Sequence, residues 1–129
     1  MKICFIDYTK FKYSFNDKDN PLLRGAETTL INLSYNLSLL NNEVYIFNNC
    51  SKKLNLKNYH WNHIDELDQS HISFDIAIAN GDINLLNKIN AKKKFAISYS
   101  VQPIEKFIRK KQLFSYLKNK PKIILIGQY

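Results

Sequence analysis

The amino-acid sequence predicts an α/β fold: a Rossmann-like, doubly wound, mainly parallel sheet with helices on both faces. Three observations predict it. Several short segments are apolar from end to end, as strands are when both faces of their sheet are covered. Those segments alternate with others whose apolar residues recur at helical spacing. The chain of 129 residues is 45% hydrophobic, which is one domain's worth of length and enough apolar material for a core. Residues 1–129 therefore read as a single domain, without internal repeat or boundary.

Residues 2–7 open the chain as a short buried strand. Residues 8–24 are polar and aromatic, with a turn signal at Asn20-Pro21, and read as a loop. A helix follows from Gly25, with Ala26, Leu30, Leu33, Leu37 and Leu40 on one face. Gly25 and Glu27 suit its amino end, where free N–H groups and the helix dipole favour small and acidic residues. Asn41-Asn42 ends it. Residues 43–48 are the second strand, 49–58 a polar loop, and Tyr59 to Ile64 a third, edge-like strand. Phe74 to Asn80 is a buried strand closed by Gly81-Asp82. A short helix over 82–89 uses Ile83, Leu86 and Ile89, and Phe95 to Ser100 is the next strand. Pro103 starts a helix, at a position where its missing N–H costs nothing. Ile104, Phe107, Ile108, Phe114 and Leu117 form that helix's apolar stripe, and Pro121 stops it. Ile123 to Ile126 is the last strand, before Gly127.

No apolar run approaches the roughly 20 residues that span a bilayer, and the opening run is too short for a secretory signal. Two cysteines, Cys4 and Cys50, fit a reducing cytoplasm better than a disulfide framework. Cys4, inside an apolar run, reads as a small core residue. The net charge of +8 is concentrated: segment 92–122 holds ten Lys or Arg and one acid, Glu105. The rest of the chain is nearly neutral. Such a stretch can face anionic lipid, nucleic acid or a phosphorylated substrate. It is also what a chain rich in Lys, Asn and Ile carries on a solvated surface.

In an open α/β sheet, ligands bind beyond the carboxyl ends of the strands. All three glycines, Gly25, Gly81 and Gly127, fall just after a strand or in the loop that follows one. The G-x-G-x-x-G, P-loop and G-x-S-x-G signatures are absent. What remains is the helix start at Gly25-Ala26-Glu27 with Arg24 beside it, suited to a phosphate or an anionic leaving group. His60, His63 and His71 lack carboxylate or thiolate partners at metal-binding spacing, so no metal site is expected. Asp65, Glu66 and Asp68 read as a solvated face. Tyr59 and Trp61, near Lys57, could stack on a base or sugar, or simply fill a half-buried strand. Asp7 stands as a lone acid at the end of the first strand, which weakens a reading as a response-regulator or flavodoxin-like module.

The order of these elements resembles the amino-terminal domain of family 4 glycosyltransferases of the GT-B fold. The resemblance rests on Lys2-Ile3-Cys4-Phe5-Ile6, a loop, then Arg24-Gly25-Ala26-Glu27 leading into a Leu-rich helix, and the strand Glu43-Val44-Tyr45-Ile46-Phe47. It continues through the aromatic-Asp strand at Phe74-Asp75 and the turn Ser98-Tyr99-Ser100-Val101-Gln102-Pro103. Arg24 stands where the family usually has the first glycine of a Gly-Gly-x-Glu motif. Tyr99 or a serine stands where it often has a histidine. The resemblance covers nearly the whole chain, and about one third of such an enzyme.

What the resemblance implies is a hexosyltransferase, retaining in stereochemistry, that needs no metal or cofactor beyond its nucleotide-sugar co-substrate. Arg24, Gly25 and Ala26 would lie on the donor-diphosphate side. Asn80, Gly81, Ser98, Tyr99, Ser100 and Gln102 would border the acceptor side of the cleft. A carboxyl-terminal domain, absent from this chain, would hold most of the donor, so the chain alone would be inactive. The acceptor would be a saccharide or lipid-linked molecule, the location the cytoplasm or the inner face of the membrane. The alternative is a non-catalytic Rossmann-like binding module that meets nucleic acid or membrane through segment 92–122.

Overall fold

A computed structural model of the protein describes residues 1–67, 72–100 and 102–126. The readings made on Asp68, His71, Val101 and Gly127 lie outside the described residues. The strands are β1 (Lys2–Ile6), β2 (Glu43–Asn48), β3 (Leu54–Asn55), β4 (Tyr59–His63), β5 (Phe74–Asn80), β6 (Ala91–Ser98) and β7 (Lys122–Leu125). The α-helices are α1 (Gly25–Leu39), α2 (Pro103–Arg109) and α3 (Leu113–Asn119). Single 3₁₀ segments occupy Phe15–Asp17, Ile64–Glu66 and Ile83–Lys88.

The fold is the expected α/β class. The strands form one sheet in the order β3-β4-β2-β1-β5-β6-β7. Every pairing is parallel except β3 with β4. The chain runs outward from β1 on one side to β4, then returns to add β5, β6 and β7 on the other. The strand order therefore switches between β1 and β5, and the carboxyl ends of those two strands flank a crevice.

Alternation along the strands divides the core into two layers. Phe5, Ile46, Tyr59 and Trp61 face one way and pack with Leu30 and Ile31 of α1. Cys4, Phe47, Ala77 and Ala79 face the other way and pack with Ile83, Leu86 and Phe107. Burial pushes the Cys4 thiol well above its usual range, so it behaves as a core residue.

Several elements differ from the sequence reading. The inward stripe of α1 is Glu27, Leu30, Ile31, Ser34 and Ser38, rotated from the expected Leu line, and Leu40 is exposed. Two hydroxyls make this tolerable. The Ser34 hydroxyl meets the Ile31 carbonyl and the Tyr59 hydroxyl (2.8 Å), and Ser38 donates to the Tyr35 carbonyl. Asn41 ends α1 as expected, in the left-handed region at φ 64°.

The strand at 59–63 is not an edge, because β3 forms inside the expected loop and covers it. Tyr59 and Trp61 are consequently buried, and neither can stack on a ligand. The expected helix over 82–89 is a 3₁₀ segment. β6 begins at Ala91 because its lysine-rich start pairs with β5 from Phe74 onward, and it ends at Ser98. β7 starts and stops one residue earlier than expected.

The single helix expected from Pro103 to Pro121 is two. Lys111 turns left-handed (φ 58°), and the N–H groups of Lys111 and Gln112 return to the Ile108 and Phe107 carbonyls (3.2 and 2.7 Å). That pattern terminates a helix. Of the expected apolar stripe only Phe107 is buried; Ile104, Ile108, Phe114 and Leu117 are exposed. No helix among the described residues is long and apolar enough to cross a membrane.

Candidate functional site

The crevice between β1 and β5 is lined by polar groups that the buried strands deliver to its floor. Asp7 follows β1, Asn80 ends β5, Tyr99 follows β6, and the first turn of α1 stands over them. Tyr13, from the loop after β1, is buried and donates a 2.5 Å hydrogen bond to Asp7 Oδ2. Asn48 at the end of β2 fixes that loop by donating to the Tyr13 carbonyl (2.9 Å). Asn80 Nδ2 donates to the Ala26 carbonyl (3.2 Å). The Tyr99 hydroxyl donates to Asn80 Oδ1 (2.6 Å), with the Ala26 carbonyl at 3.4 Å. These bonds fasten the amino end of α1 to the carboxyl ends of β5 and β6.

Arg24 precedes the helix in extended conformation, and its Nε donates to Glu27 Oε1 (2.9 Å) while Nη2 pairs with the same oxygen. The pair is asymmetric: the Glu27 side chain is fully buried and the Arg24 side chain is 67% exposed. Glu27 Oε2 has no hydrogen-bond partner among the described residues. Glu27 thus sits under the helix start and holds the guanidinium at the surface. The Glu27 carboxylate raises the Arg24 pKa, so the guanidinium stays charged. The first-turn N–H groups of Gly25 and Ala26 have no intrahelical partner. Gly25 is exposed, and a side chain there would meet nothing within 4 Å.

Asp7 is raised to about 6, first by burial and further by the charge of Glu27. The Tyr13 hydroxyl, the Asn80 amide and Arg24 oppose the rise. Burial, then the neighbouring Asp7, also pushes Tyr13 upward, and Tyr99 is pushed up to about 12, again by burial first. The floor therefore holds two acids in low-dielectric surroundings with one exposed cation at the rim. Asp7 exchanges its proton at about pH 6, and Arg24 can pair with an anion.

The residues proposed for the two sides of the cleft do not all converge. Arg24, Gly25 and Ala26 meet Asn80 and Tyr99 through the Ala26 carbonyl. Ser98, Ser100 and Gln102 form a turn of their own: Ser100 N–H donates to Ser98 Oγ (3.2 Å), and Gln102 N–H to Ser100 Oγ (3.3 Å). Gly81 supplies a backbone at φ 91°, which only glycine adopts freely, and its N–H bonds to the Ile97 carbonyl. His60 Nδ1 meets Asn55 and its Nε2 faces the Glu43 carboxylate at 3.9 Å, while His63 Nε2 meets Asn49 and its Nδ1 accepts from the Asp65 N–H.

Asp7, Tyr13 and the inward turn of Glu27 were not anticipated. Asp7 is not the lone acid it looks in sequence, since Glu27 lies within its electrostatic reach. An acid placed directly after the apolar run from Ile3 to Ile6 was the available signal. No protein-family model, no curated protein and no solved structure matches the chain.

Proposed function

We propose that this chain is the acceptor-side, amino-terminal half of a glycosyltransferase. Its substrates are a nucleotide-sugar and a cell-surface polysaccharide or lipid-linked saccharide on the cytoplasmic side. One observation carries the reading. Arg24, anchored by the buried Glu27 yet two-thirds exposed, stands with Gly25 and Ala26 at the start of a 15-residue helix that opens on the switch point of the sheet. Free N–H groups, the helix dipole and a fixed guanidinium together favour a diphosphate, most of all as it leaves. A second domain would hold the nucleoside and the sugar. Asn80 and Tyr99, bonded to each other and to the Ala26 carbonyl, hold that helix start in place at the crevice. Transfer proceeds with retention and without a metal in this reading.

The test is a transfer assay on the full-length protein from its source, with UDP-, GDP- and dTDP-sugars. Acceptor-dependent release of the nucleoside diphosphate is expected, and Arg24→Ala should lower kcat/KM by roughly ten- to a hundred-fold. No acceptor-dependent release with any donor would refute the proposal.

A further inference from the structure

The opposite edge of the sheet carries a second concentration of chemistry. A cleft of about 330 Å³ lies where β6 and β7 begin and α3 ends. Lys92, Lys93, Lys94, Lys118, Lys120 and Lys122 border it, with no carboxylate among the described residues. The register sets Lys94 beside Ala77 on the α3 face of the sheet, and Lys93 beside Ile76 and Lys122 beside Phe95 on the other. We propose that this cleft is a binding site for a compact polyanion carrying two or more phosphate groups. It does not depend on the glycosyltransferase reading, and it is remote from Arg24.

Three observations build the site. First, the lysines come from three elements that the fold brings together, so the cluster is more than one charged run. The remaining basic residues of segment 92–122, Lys106, Arg109, Lys110 and Lys111, lie on or just after α2 and do not line it. Second, the cluster is not neutralised. Only Lys92 has an acidic partner among the described residues, Asp75 at 3.4 Å. Like charges held together without a counter-ion repel, and a bound polyanion would relieve that repulsion. Third, parts of the wall are fixed. Lys94 Nζ donates to Asn119 Oδ1 (2.8 Å) and to the Leu86 carbonyl (3.4 Å). Asn119 donates in turn to Asn87 Oδ1 (2.8 Å). Lys120 occupies the left-handed region (φ 46°), a conformation glycine would adopt more cheaply, and there it keeps a cation on the rim. Burial and the nearby Lys118 lower the Lys94 pKa, as expected for an ammonium among like charges.

Size selects the ligand class. The volume is at the lower end of small-molecule sites, suited to a diphosphate or triphosphate group and confined compared with the track an extended nucleic-acid strand follows. The phosphates could belong to a free molecule or to a lipid headgroup.

The probe is inorganic pyrophosphate, titrated calorimetrically into the protein at low ionic strength. Saturable one-to-one binding is expected, stronger than for orthophosphate and weakened as salt rises. Lys94→Gln with Lys118→Gln should weaken it about ten-fold or more, as should Lys118→Gln with Lys120→Gln, which leaves the contact between Lys94 and Asn119 intact. Arg24→Ala should leave it unchanged. Flotation with vesicles containing diacylglycerol pyrophosphate separates the sources: binding that inorganic pyrophosphate competes away assigns the cleft to a headgroup. No saturable pyrophosphate binding, equal loss with Lys106→Gln and Arg109→Gln, or vesicle binding indifferent to pyrophosphate would each overturn the proposal.

Discussion

Helices α1 and α3 look alike in sequence and dock in opposite senses. Each carries a stripe of large apolar residues. α1 lies on the sheet, where Leu30 and Ile31 meet Phe5, Ile46 and Trp61, and its buried hydroxyls find partners. α3 lies against the 3₁₀ segment at Ile83–Lys88 and meets it with polar groups. Ser115 Oγ donates to Asn84 Oδ1 (2.6 Å), Asn87 donates to Ser115, and Gln112 Oε1 accepts from the Ile83 N–H. Phe114 and Leu117 are left 78% and 59% exposed. Periodicity therefore tells that a helix has two unlike faces. Which face turns inward depends on the surface it meets, and a 3₁₀ segment that presents asparagines selects the amides and hydroxyls.

The comparison breaks first at Trp61. Its side chain is fully buried beneath α1 and makes edge contacts with Tyr13 and Tyr59, with centroids at 5.9 and 6.3 Å. Trp61→Ala should cost about 3–5 kcal/mol of unfolding free energy, read by urea denaturation. A loss under about 1 kcal/mol would mean that the α1 layer is not the packed one.

The next effect lies at Asp7, beneath the start of α1. The folded carboxyl titrates near 6, against 3.8 for an unperturbed Asp, so the folded state holds its proton more tightly than the unfolded state does. The penalty for a charged Asp7 is therefore fully present above pH 6, shrinks as pH falls toward 3.8, and is absent below that. Asp7→Asn keeps an acceptor for Tyr13 and removes the penalty. It should be more stable than the parent by about 2–3 kcal/mol at pH 7.5, with the difference vanishing near pH 4. Parallel pH profiles of stability for parent and variant would contradict the assignment.

Much of the sheet was legible in the sequence, because a parallel strand buried on both faces is written as a local apolar run. Phe74 to Asn80 and Glu43 to Asn48 are read to the residue. What was not legible needed a partner distant in the chain. β4 is interior only because Leu54 and Asn55, in a stretch that reads as a polar loop, pair with it. The acids at the crevice are hidden for the same reason. Asp7 and Glu27 are separated by a long loop and become neighbours only when α1 is laid across the sheet. The bond from Asn80 to the Ala26 carbonyl joins residues that the sequence reading set on two sides of a cleft, because loops after buried strands open on one edge. The break between α2 and α3 was missed because a lysine, Lys111, holds the left-handed position where sequence reading looks for glycine or asparagine.

Lys120 offers a smaller, opposite effect in the α3 region. It holds a left-handed backbone that costs a lysine roughly 1 kcal/mol relative to glycine. Lys120→Gly should accordingly stabilise the fold by about 0.5–1 kcal/mol, visible as a higher urea midpoint with unchanged slope. The same change removes one lysine from the cleft, so it should weaken pyrophosphate binding while strengthening the fold.

The smallest effect sharpens the contrast most. If α3 docks by its amides, its apolar face contributes almost nothing to folding. Phe114→Ser should then change unfolding free energy by no more than about 0.5 kcal/mol. Ser115→Ala, one residue on, should cost more, because it strands the amide of Asn87 and the carbonyl oxygen of Asn84, which both use its hydroxyl. The order of the two losses is the measurement. A larger loss at Phe114 would mean that α3 is held by its apolar face after all.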